Sequence, residues 1–464
     1  MVASQERAFQ NAIAFLNSRM RTARPQHPGS TQLPVTSLPS TNPTFRGTPP
    51  IQGMREWLRK LGHTNDQIDS LNVIHIAGTK GKGTTCTFIE NFLREHGKRT
   101  GFPRKTGLYT GPHLVDIRER IRINFAPVSK DTFSQNLAEV REALGLEEQG
   151  PGPRYLQILA LTSYHTFIKE KVDVAIYETH HGGEYDATNC VENPVITGIT
   201  SIGMDHIASL GPSITDIAWH KAGIIKPGAA AFTAEQKESV AQEIKARANE
   251  KNVDLEVVAS DPTLPGDFPS ECQRLNASLA LRISNKFLNK KHPDSASILS
   301  ESDIARVIEN FTWPGRFQLI ERDAVSWYID GAHNELSMPQ VAGWFNNNVK
   351  PVSPNARRVL IFAQKEGQRD GLEVVKALAE SLVSPVEHVI FTPHSASAAD
   401  IARIDTYCQC WAELRPEAKI TRMVDPKEAL RLGSKLASEA DSADVLVTGS
   451  LYLVGEAIQY LGEA

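Results

Sequence analysis

The chain has few cysteines, no long hydrophobic run and no large excess of charge of either sign. Only five of its 464 residues are cysteine, an odd number that argues against a disulfide framework and favours a reducing compartment. No apolar run approaches the roughly 18 to 20 residues that cross a bilayer. Lysine and arginine together number 50, against 54 aspartates and glutamates. The composition therefore points neither to a membrane nor to a nucleic acid as partner.

The first 24 residues leave the compartment open. Basic residues outnumber acidic ones there, as in a mitochondrial presequence. They are Arg7, Arg19, Arg21 and Arg24, against Glu6 alone. The stretch Phe9–Met20 also has the spacing of an amphipathic helix packed on the body of the protein. We expect a cytoplasmic protein and keep a mitochondrial location as the alternative.

Alternating β-branched runs and helical stretches predict an α/β fold with two domains, each built on a largely parallel, doubly wound sheet. The predicted strands are 73–77, 172–177 and 195–200 in the first domain, and 327–329, 359–362, 388–391 and 445–447 in the second. We place the first domain at 1–312 and a smaller, Rossmann-like domain at 315–464, with a cleft between them. Seven of the 26 residues from 25 to 50 are proline, which predicts an extended surface loop.

A glycine-rich stretch, Gly78–Thr84, lies between the predicted strand 73–77 and a predicted helix over 85–96. Glycines there would let backbone N–H groups approach phosphate oxygens, while Lys82 reaches a terminal phosphate and the Thr84 hydroxyl holds Mg²⁺. The spacing differs from the common P-loop motif, because Gly83 separates Lys82 from Thr84. A glycine-rich turn without phosphate is the alternative. The predicted ATP-binding residues of this glycine loop are Gly78, Thr79, Lys80, Gly81, Lys82, Gly83 and Thr84.

Three neighbouring motifs, His75–Thr84, Lys105–Leu114 and Arg118–Arg122, resemble those of the folylpolyglutamate synthases, which belong to the Mur-ligase superfamily. Further matches follow in the family's order: Ile202–His206, Ala218–Pro227, Gln273–Asn276, Trp313–Arg316, Asp330–Asn334 and Val447–Leu451. The resemblance spans most of the chain. It implies a Mur-ligase-like ATPase domain and an ATP- and Mg²⁺-dependent ligase, which we expect to be a monomer. Such an enzyme adds L-glutamate to a carboxylate, tetrahydrofolate in that family, through an acyl phosphate.

The predicted metal site uses residues at the carboxyl edge of the first sheet. Glu178 ends one apolar run and His206 follows the next, so both are expected at that edge near the glycine loop. A buried histidine satisfied by backbone is the commoner fate of a lone histidine. The resemblance implies that Thr84, Glu178 and His206 hold Mg²⁺, and that Lys221 becomes a further ligand after carbamylation by CO₂. With Lys82, the last three form the predicted catalytic set.

The resemblance implies four further nucleotide contacts. Arg316 and His333 would meet phosphates, Asp330 would bind the ribose and Asn276 the adenine. Because most of these residues follow the boundary at 312, the two domains would have to close, which would also exclude water from the acyl phosphate.

Three departures from the family pattern cluster near the substrate end. Gly111 stands where the family usually has serine, and Thr179, His180 and His181 replace the usual Val-Gly-x before Gly-Gly. The stretch Tyr155–Gln157 also differs. These changes favour an altered acceptor, with the predicted acceptor pocket formed by His180, His181, Tyr155 and Gln157. The alternatives are a paralogue that couples a non-folate acid to an amino acid in specialised metabolism, and a ligase-dead, nucleotide-binding regulatory protein.

Overall fold

The computed structural model describes residues 2–20, 49–293, 298–349, 356–365, 371–395 and 397–462. The chain divides into two compact units. The first comprises Met1–His113, Arg118–Gly266 and Gln273–Asn310, and the second Leu114–Ile117, Asp267–Cys272 and Phe311–Ala464. The main segment of the second unit begins close to the predicted boundary, but nothing in the sequence indicated that two short segments would group with it. The predicted proline-rich loop lies outside the described residues, except for its last two positions.

The first unit is built on an eight-stranded sheet of order β4-β3-β2-β5-β1-β6-β7-β8. Its strands are β1 Ile74–Ala77, β2 Thr106–Tyr109, β3 Ile121–Ile123, β4 Ala126–Pro127, β5 Val174–Glu178, β6 Ile196–Ile199, β7 Ala230–Ala234 and β8 Leu255–Val258. The strands from β2 to β8 along this order run parallel, while β3 and β4 pair antiparallel at one edge. Every residue of β1 and β5 is buried, as expected of central strands covered on both faces.

Helices surround this sheet. They are α1 Val2–Ser18, α2 Met54–Lys60, α3 Asn65–Asp69, α4 Lys82–Thr100, α5 Lys130–Ala143, α6 Tyr155–Glu170, α7 Ile207–Leu210, α8 Ile214–Ala222, α9 Glu238–Glu250, α10 Glu271–Lys291 and α11 Glu301–Glu309. Two short 3₁₀ turns, Ile117–Arg120 and Ala187–Cys190, follow β2 and β5 in the chain. In α1, Phe9, Phe15 and Leu16 are buried, and the helix packs on α5, as the amphipathic spacing predicted.

The second unit contains a six-stranded sheet of order β13-β12-β11-β14-β10-β9, parallel except for β9. Its strands are β9 Gln318–Arg322, β10 Val325–Ile329, β11 Ala356–Phe362, β12 His388–Phe391, β13 Lys419–Arg422 and β14 Ser442–Thr448; its helices are α12 Met338–Asn348, α13 Gly371–Ser381, α14 Ala398–Leu414, α15 Pro426–Ser438 and α16 Leu451–Tyr460. Separate apolar clusters cover the two faces of this sheet. The prediction of two α/β units with largely parallel sheets is confirmed.

None of the helices in the described part of the chain combines the length and the apolar content that a membrane span requires.

Candidate active site

The glycine loop joins β1 directly to α4. Gly78 has a φ of +150°, and a Cβ at that position would lie 1.8 Å from Thr200 Oγ1, so only glycine fits. Gly81 adopts the left-handed conformation that starts α4 at Lys82. The expected helix start at residue 85 was therefore wrong by one turn. Lys82, Gly83 and Thr84 form the first turn, whose free N–H groups and positive dipole suit an anion.

The end of β6 and the helix α10 support this loop. The backbone N–H groups of Thr79 and Lys80 donate to Ser201 O at 3.0 and 3.3 Å, and Thr200 Oγ1 donates to Lys80 O at 2.6 Å. Asn276 from α10 presses on Gly81, where a Cβ would lie 2.3 Å from Asn276 Oδ1. Asn276, which was predicted to contact adenine, therefore lies against the glycine loop.

Glu178 and Lys82 face each other at this edge of the sheet. Glu178 is the last residue of β5, and its Oε1 lies 3.9 Å from Lys82 Nζ. The other carboxylate oxygen, Oε2, accepts the backbone N–H of Gly111 at 3.0 Å. Both side chains are largely buried. A second pair, Lys80 and Asp205, lies 3.7 Å apart, so lysines of the glycine loop are matched with carboxylates that a polyphosphate would have to displace or share.

Lys221, on α8, is 1% exposed and donates from Nζ to Gly78 O at 2.7 Å. Burial, and then the nearby charge of Lys82, lowers the pKa of Lys221 well below its usual range. A neutral amine is the form that reacts with CO₂. The burial and position of this side chain therefore fit the carbamate that the sequence analysis expected.

His206 begins α7 in the left-handed conformation, with φ 51°. Burial is the main reason that the pKa of His206 falls to about 3. Its ring centroid lies 5.3 Å from that of His181. A neutral imidazole can bind a metal ion through its unprotonated nitrogen, so His206 is present in the form that a metal ligand needs.

The residues predicted to hold magnesium lie on segments that end or follow the neighbouring strands β1, β5 and β6. Their donors are the Thr84 hydroxyl, the Glu178 carboxylate and the His206 imidazole, with Lys221 available if carbamylated. Among the described residues, no three His, Cys, Asp or Glu side chains form a metal site on their own. Phosphate oxygens and water would have to complete a magnesium site here.

His180 points away from open solvent, towards the interior. Its side chain is 7% exposed. Its Nε2 lies 2.6 Å from Tyr109 OH, and its Nδ1 lies 3.5 Å from Asp186 Oδ1. Burial lowers the pKa of His180 to about 4, so the ring is neutral. His180 therefore contacts protein groups that the sequence analysis had not singled out.

Asp186 is a fully buried carboxylate that collects hydrogen bonds from its surroundings. Its Oδ2 accepts the N–H of His181 at 3.0 Å, and its Oδ1 accepts the N–H and the hydroxyl of Thr188 at 3.0 and 2.7 Å. Burial would raise the pKa of Asp186, but His180, His181 and Thr188 bring it below its usual value. His75 Nε2 lies 2.9 Å from the Thr188 hydroxyl oxygen. Because that hydroxyl donates its hydrogen to Asp186, His75 Nε2 must donate to the Thr188 oxygen.

The other two predicted acceptor residues differ in availability. Gln157 caps its own helix, since its Oε1 accepts Arg154 N–H at 3.0 Å, and its Nε2 donates to Pro50 O at 2.6 Å. Both polar atoms are therefore engaged with backbone. Tyr155 is half-buried, and the charge of Arg120 is near enough to act on its hydroxyl. Within the described part of the chain, no hydrogen bond engages the Tyr155 hydroxyl, so of these two residues Tyr155 is the more available to an acceptor.

Gly111 has a neighbour that explains the missing side chain. A Cβ at this position would lie 2.4 Å from Arg120 Nη1. The Arg120 guanidinium is buried and donates from Nε to His113 Nδ1 at 2.9 Å. Tyr109, Arg120 and Asp186 were missed as site residues. The first two lie inside motifs that had been noted, so proximity to those motifs was the available signal.

In the second unit, three predicted nucleotide contacts meet at the end of β10. Asp330 is buried, and its two oxygens accept the N–H groups of Phe317 and Ala332 at 2.8 and 2.7 Å. Burial raises the pKa of Asp330. His333 Nδ1 lies 2.6 Å from Gly331 O, and Arg316 Nη1 lies 2.9 Å from Gly315 O. Asp330 thus organises the two turns that carry Arg316 and His333.

Comparisons with known proteins bear on the family and the fold of the chain. Residues 315–451 match the family described as Mur ligase, glutamate ligase domain. The folylpolyglutamate synthase of Neurospora crassa is 36% identical over 457 residues, covering 89% of this chain and 86% of that protein. The Saccharomyces cerevisiae enzyme of the same name is 34% identical over 88% of this chain and 81% of its own. The fold matches Mycobacterium tuberculosis folylpolyglutamate synthase complexed with ADP and AMPPCP, with a TM-score of 0.74, 23% identity, and coverage of 89% of this chain and 96% of that one.

Proposed function

Because this chain belongs to the folylpolyglutamate synthase family, as its curated relatives show, we propose that its site adds L-glutamate to a reduced folate at the expense of ATP. The enzyme is an ATP-dependent ligase. The observation that carries the proposal is the close placement of Lys82 and Glu178 beside a glycine loop that opens α4. We propose that it acts as a monomer.

The chemistry needs an activated carboxylate. A carboxylate does not react with an amine until a phosphoryl group has been moved onto it, giving an acyl phosphate from which phosphate then leaves. The N–H groups of the glycine loop and the Lys82 ammonium would hold the phosphates of ATP and balance their charge. Mg²⁺, when bound, would neutralise charge on the transferring phosphoryl group. Thr84, Glu178, His206 and carbamylated Lys221 are the residues proposed to hold it.

The remaining residues have supporting or recognition roles. Asn276 shapes the glycine loop from the side of α10. In the second unit, Arg316 and His333 are proposed to bind nucleotide phosphate and Asp330 the ribose, while the two Asp330 oxygens also accept hydrogen bonds from the turns around them. Tyr155 and Arg120 are proposed to line the acceptor pocket, because they combine an aromatic face with a cation suited to a substrate carboxylate.

The relatives favour folate over the two alternatives that the departures had suggested. Neither a non-folate acid nor a ligase-dead regulatory role is favoured by proteins that share a third of their residues over most of the chain. The departures at Gly111 and His180 are therefore interpreted within a folate ligase.

Steady-state kinetics test the proposal. With ATP and Mg²⁺ present, we expect phosphate release that depends on both a reduced folate and L-glutamate, together with a folate product heavier by one glutamyl residue in mass spectrometry. A panel of aromatic acids, each offered without folate, serves as the control. Efficient coupling of one of those acids with little turnover of folate would favour the paralogue instead, and nucleotide binding without any coupled hydrolysis would favour the regulatory protein.

A further inference from the structure

His180 connects the ends of two neighbouring strands beyond the point where their backbone pairing stops. β2 and β5 run in parallel, and their last paired residues are Tyr109 and Tyr177. Glu178 is the next residue of β5. His180 then turns back, so that its Nε2 lies 2.6 Å from Tyr109 OH and its ring meets the tyrosine ring edge-on at 5.5 Å. The two strand ends are thus joined by side chains.

The same two segments are joined a second time through the candidate metal carboxylate. The N–H of Gly111, two residues after Tyr109, donates to Glu178 Oε2 at 3.0 Å. The Gly111 hydrogen bond therefore holds the Glu178 carboxylate, and the contact between His180 and Tyr109 holds the chain two residues after Glu178. Together they limit how far Glu178 can move relative to the end of β2.

The protonation of this link follows from its neighbours. Asp186 is buried and ionised, and it faces the Nδ1 side of His180 at 3.5 Å. That attraction favours the proton on Nδ1, which leaves Nε2 as the acceptor for the Tyr109 hydroxyl. The glycine that the family usually has at this position could make neither contact. The imidazole is therefore a feature of this chain's own site.

We infer that His180 is a positioning residue that fixes Glu178 for metal binding, by tying the segment after β5 to the Tyr109 hydroxyl. This inference rests on the proposed function, since it assigns Glu178 to the magnesium site. Groups that orient metal ligands typically change metal affinity or activity by about 10- to 100-fold when they are removed. A residue that only filled space would change stability without changing the metal requirement.

Three substitutions at position 180, with Tyr109→Phe, test the inference. His180→Gly restores the residue that the family usually has there and removes the link. His180→Gln puts an amide where Nε2 lies, so it can still reach Tyr109. His180→Asn reaches only as far as Nδ1. His63→Gln is the matched control, because His63 is a buried histidine bonded to His165 at 2.8 Å, outside this network.

Two readouts are compared at each Mg²⁺ concentration: folate-dependent turnover, and the affinity for AMPPCP measured by calorimetry. We expect His180→Gly, His180→Asn and Tyr109→Phe to raise the half-saturating Mg²⁺ concentration by about 10-fold or more in both. His180→Gln and His63→Gln should stay within about threefold of wild type, and binding of AMPPCP without metal should change little. The double variant His180→Gly, Tyr109→Phe should have the same half-saturating Mg²⁺ concentration as either single variant, because both substitutions break the same link.

Unchanged Mg²⁺ midpoints in both His180→Gly and Tyr109→Phe would overturn the inference, as would equal midpoints for His180→Gln and His180→Asn. If His180→Gly does not fold, Tyr109→Phe and the Gln and Asn pair still decide the matter. A wild-type protein that binds AMPPCP with Mg²⁺ but ligates no glutamate would refute the proposed function instead. Calorimetry alone would then test His180.

Discussion

Replacing Lys221 by methionine should make the folded protein less sensitive to pH while abolishing ligation. Methionine has a similar length and no charge, so it removes the amine while filling most of its volume. Burial lowers the pKa of Lys221 well below the unfolded value of about 10.4. Between those two values the unfolded chain carries one proton more than the folded one. The stability of the wild type therefore rises with pH in that window, at up to about 1.4 kcal/mol per pH unit from this group.

The same argument gives the sign of the difference in unfolding free energy between Lys221→Met and wild type. As pH falls from about 10, the unfolded state of the wild type gains a proton that the folded state accepts poorly. Lys221→Met should consequently gain stability relative to wild type as pH falls, until the folded pKa is reached and the difference becomes constant. Loss of the Nζ to Gly78 O hydrogen bond costs roughly 0.5 to 1.5 kcal/mol, and this cost does not depend on pH. The pH dependence of the stability difference therefore reports on the titration of the Lys221 amine and not on its hydrogen bond.

Urea denaturation of the whole chain at several pH values, in buffer free of CO₂, measures that dependence for the unfolding of the first unit. Lys237→Met is the matched control, because it makes the same substitution at an exposed lysine instead of a buried one. A flat difference for Lys221→Met would refute the assignment of Lys221 as a buried, neutral amine. Near-normal ligation by that variant would refute its assignment to the metal site.

The other predictions concern the charged groups around the phosphate. Lys82→Ala should lower kcat by about 10²- to 10³-fold, because it removes a cation facing the transferring phosphoryl group; near-normal turnover by the folded variant would contradict this. Glu178→Gln and His206→Ala should each raise the half-saturating Mg²⁺ concentration by at least about 10-fold, and titrations that overlay wild type would put the metal elsewhere. Gly111→Ser should lower kcat/KM rather than restore a lost function, since its Cβ would lie 2.4 Å from Arg120 Nη1; an increase would show that Arg120 moves aside easily.

Three central strands of the first sheet could be predicted because burial on both faces leaves a continuous run of apolar and β-branched residues. These three, at 74–77, 174–178 and 196–199, lie within or next to the predicted stretches. The interior strands β2 and β7 were missed, because glycine, threonine and alanine weaken that signal in them. Edge strands give no such signal, and β4 and β13 were missed for this reason: β4 has two exposed residues, and β13, with the sequence Lys-Ile-Thr-Arg, has no buried residue. The early start of α4 was missed because glycine and threonine favour helices weakly. Only the left-handed Gly81 explains it.

The site was partly predictable for a different reason. Motifs mark residues that lie close in sequence, so Gly78, Lys82 and Glu178 could be named from local patterns. Contacts between distant segments have no local pattern. The hydrogen bond from Lys221 to Gly78 joins residues 143 positions apart, and the link between Tyr109 and His180 spans 71. The sequence analysis therefore named His180 but assigned it to the acceptor, because nothing in the sequence pairs it with Tyr109.

The departures at positions 111 and 180 have one physical consequence in common. Without a side chain at 111, the Arg120 guanidinium can approach to a distance that no Cβ would allow, while the Gly111 N–H still holds Glu178 Oε2. Thr110, the residue before Gly111, is buried, and its N–H donates to Arg120 O at 3.1 Å. At position 180, an imidazole replaces the usual glycine and ties the segment two residues after Glu178 to Tyr109. Position 111 therefore bears on Glu178 through its N–H, and position 180 through the segment that follows Glu178. If the inference about His180 is correct, both departures act on the orientation of Glu178 rather than on the choice of acceptor.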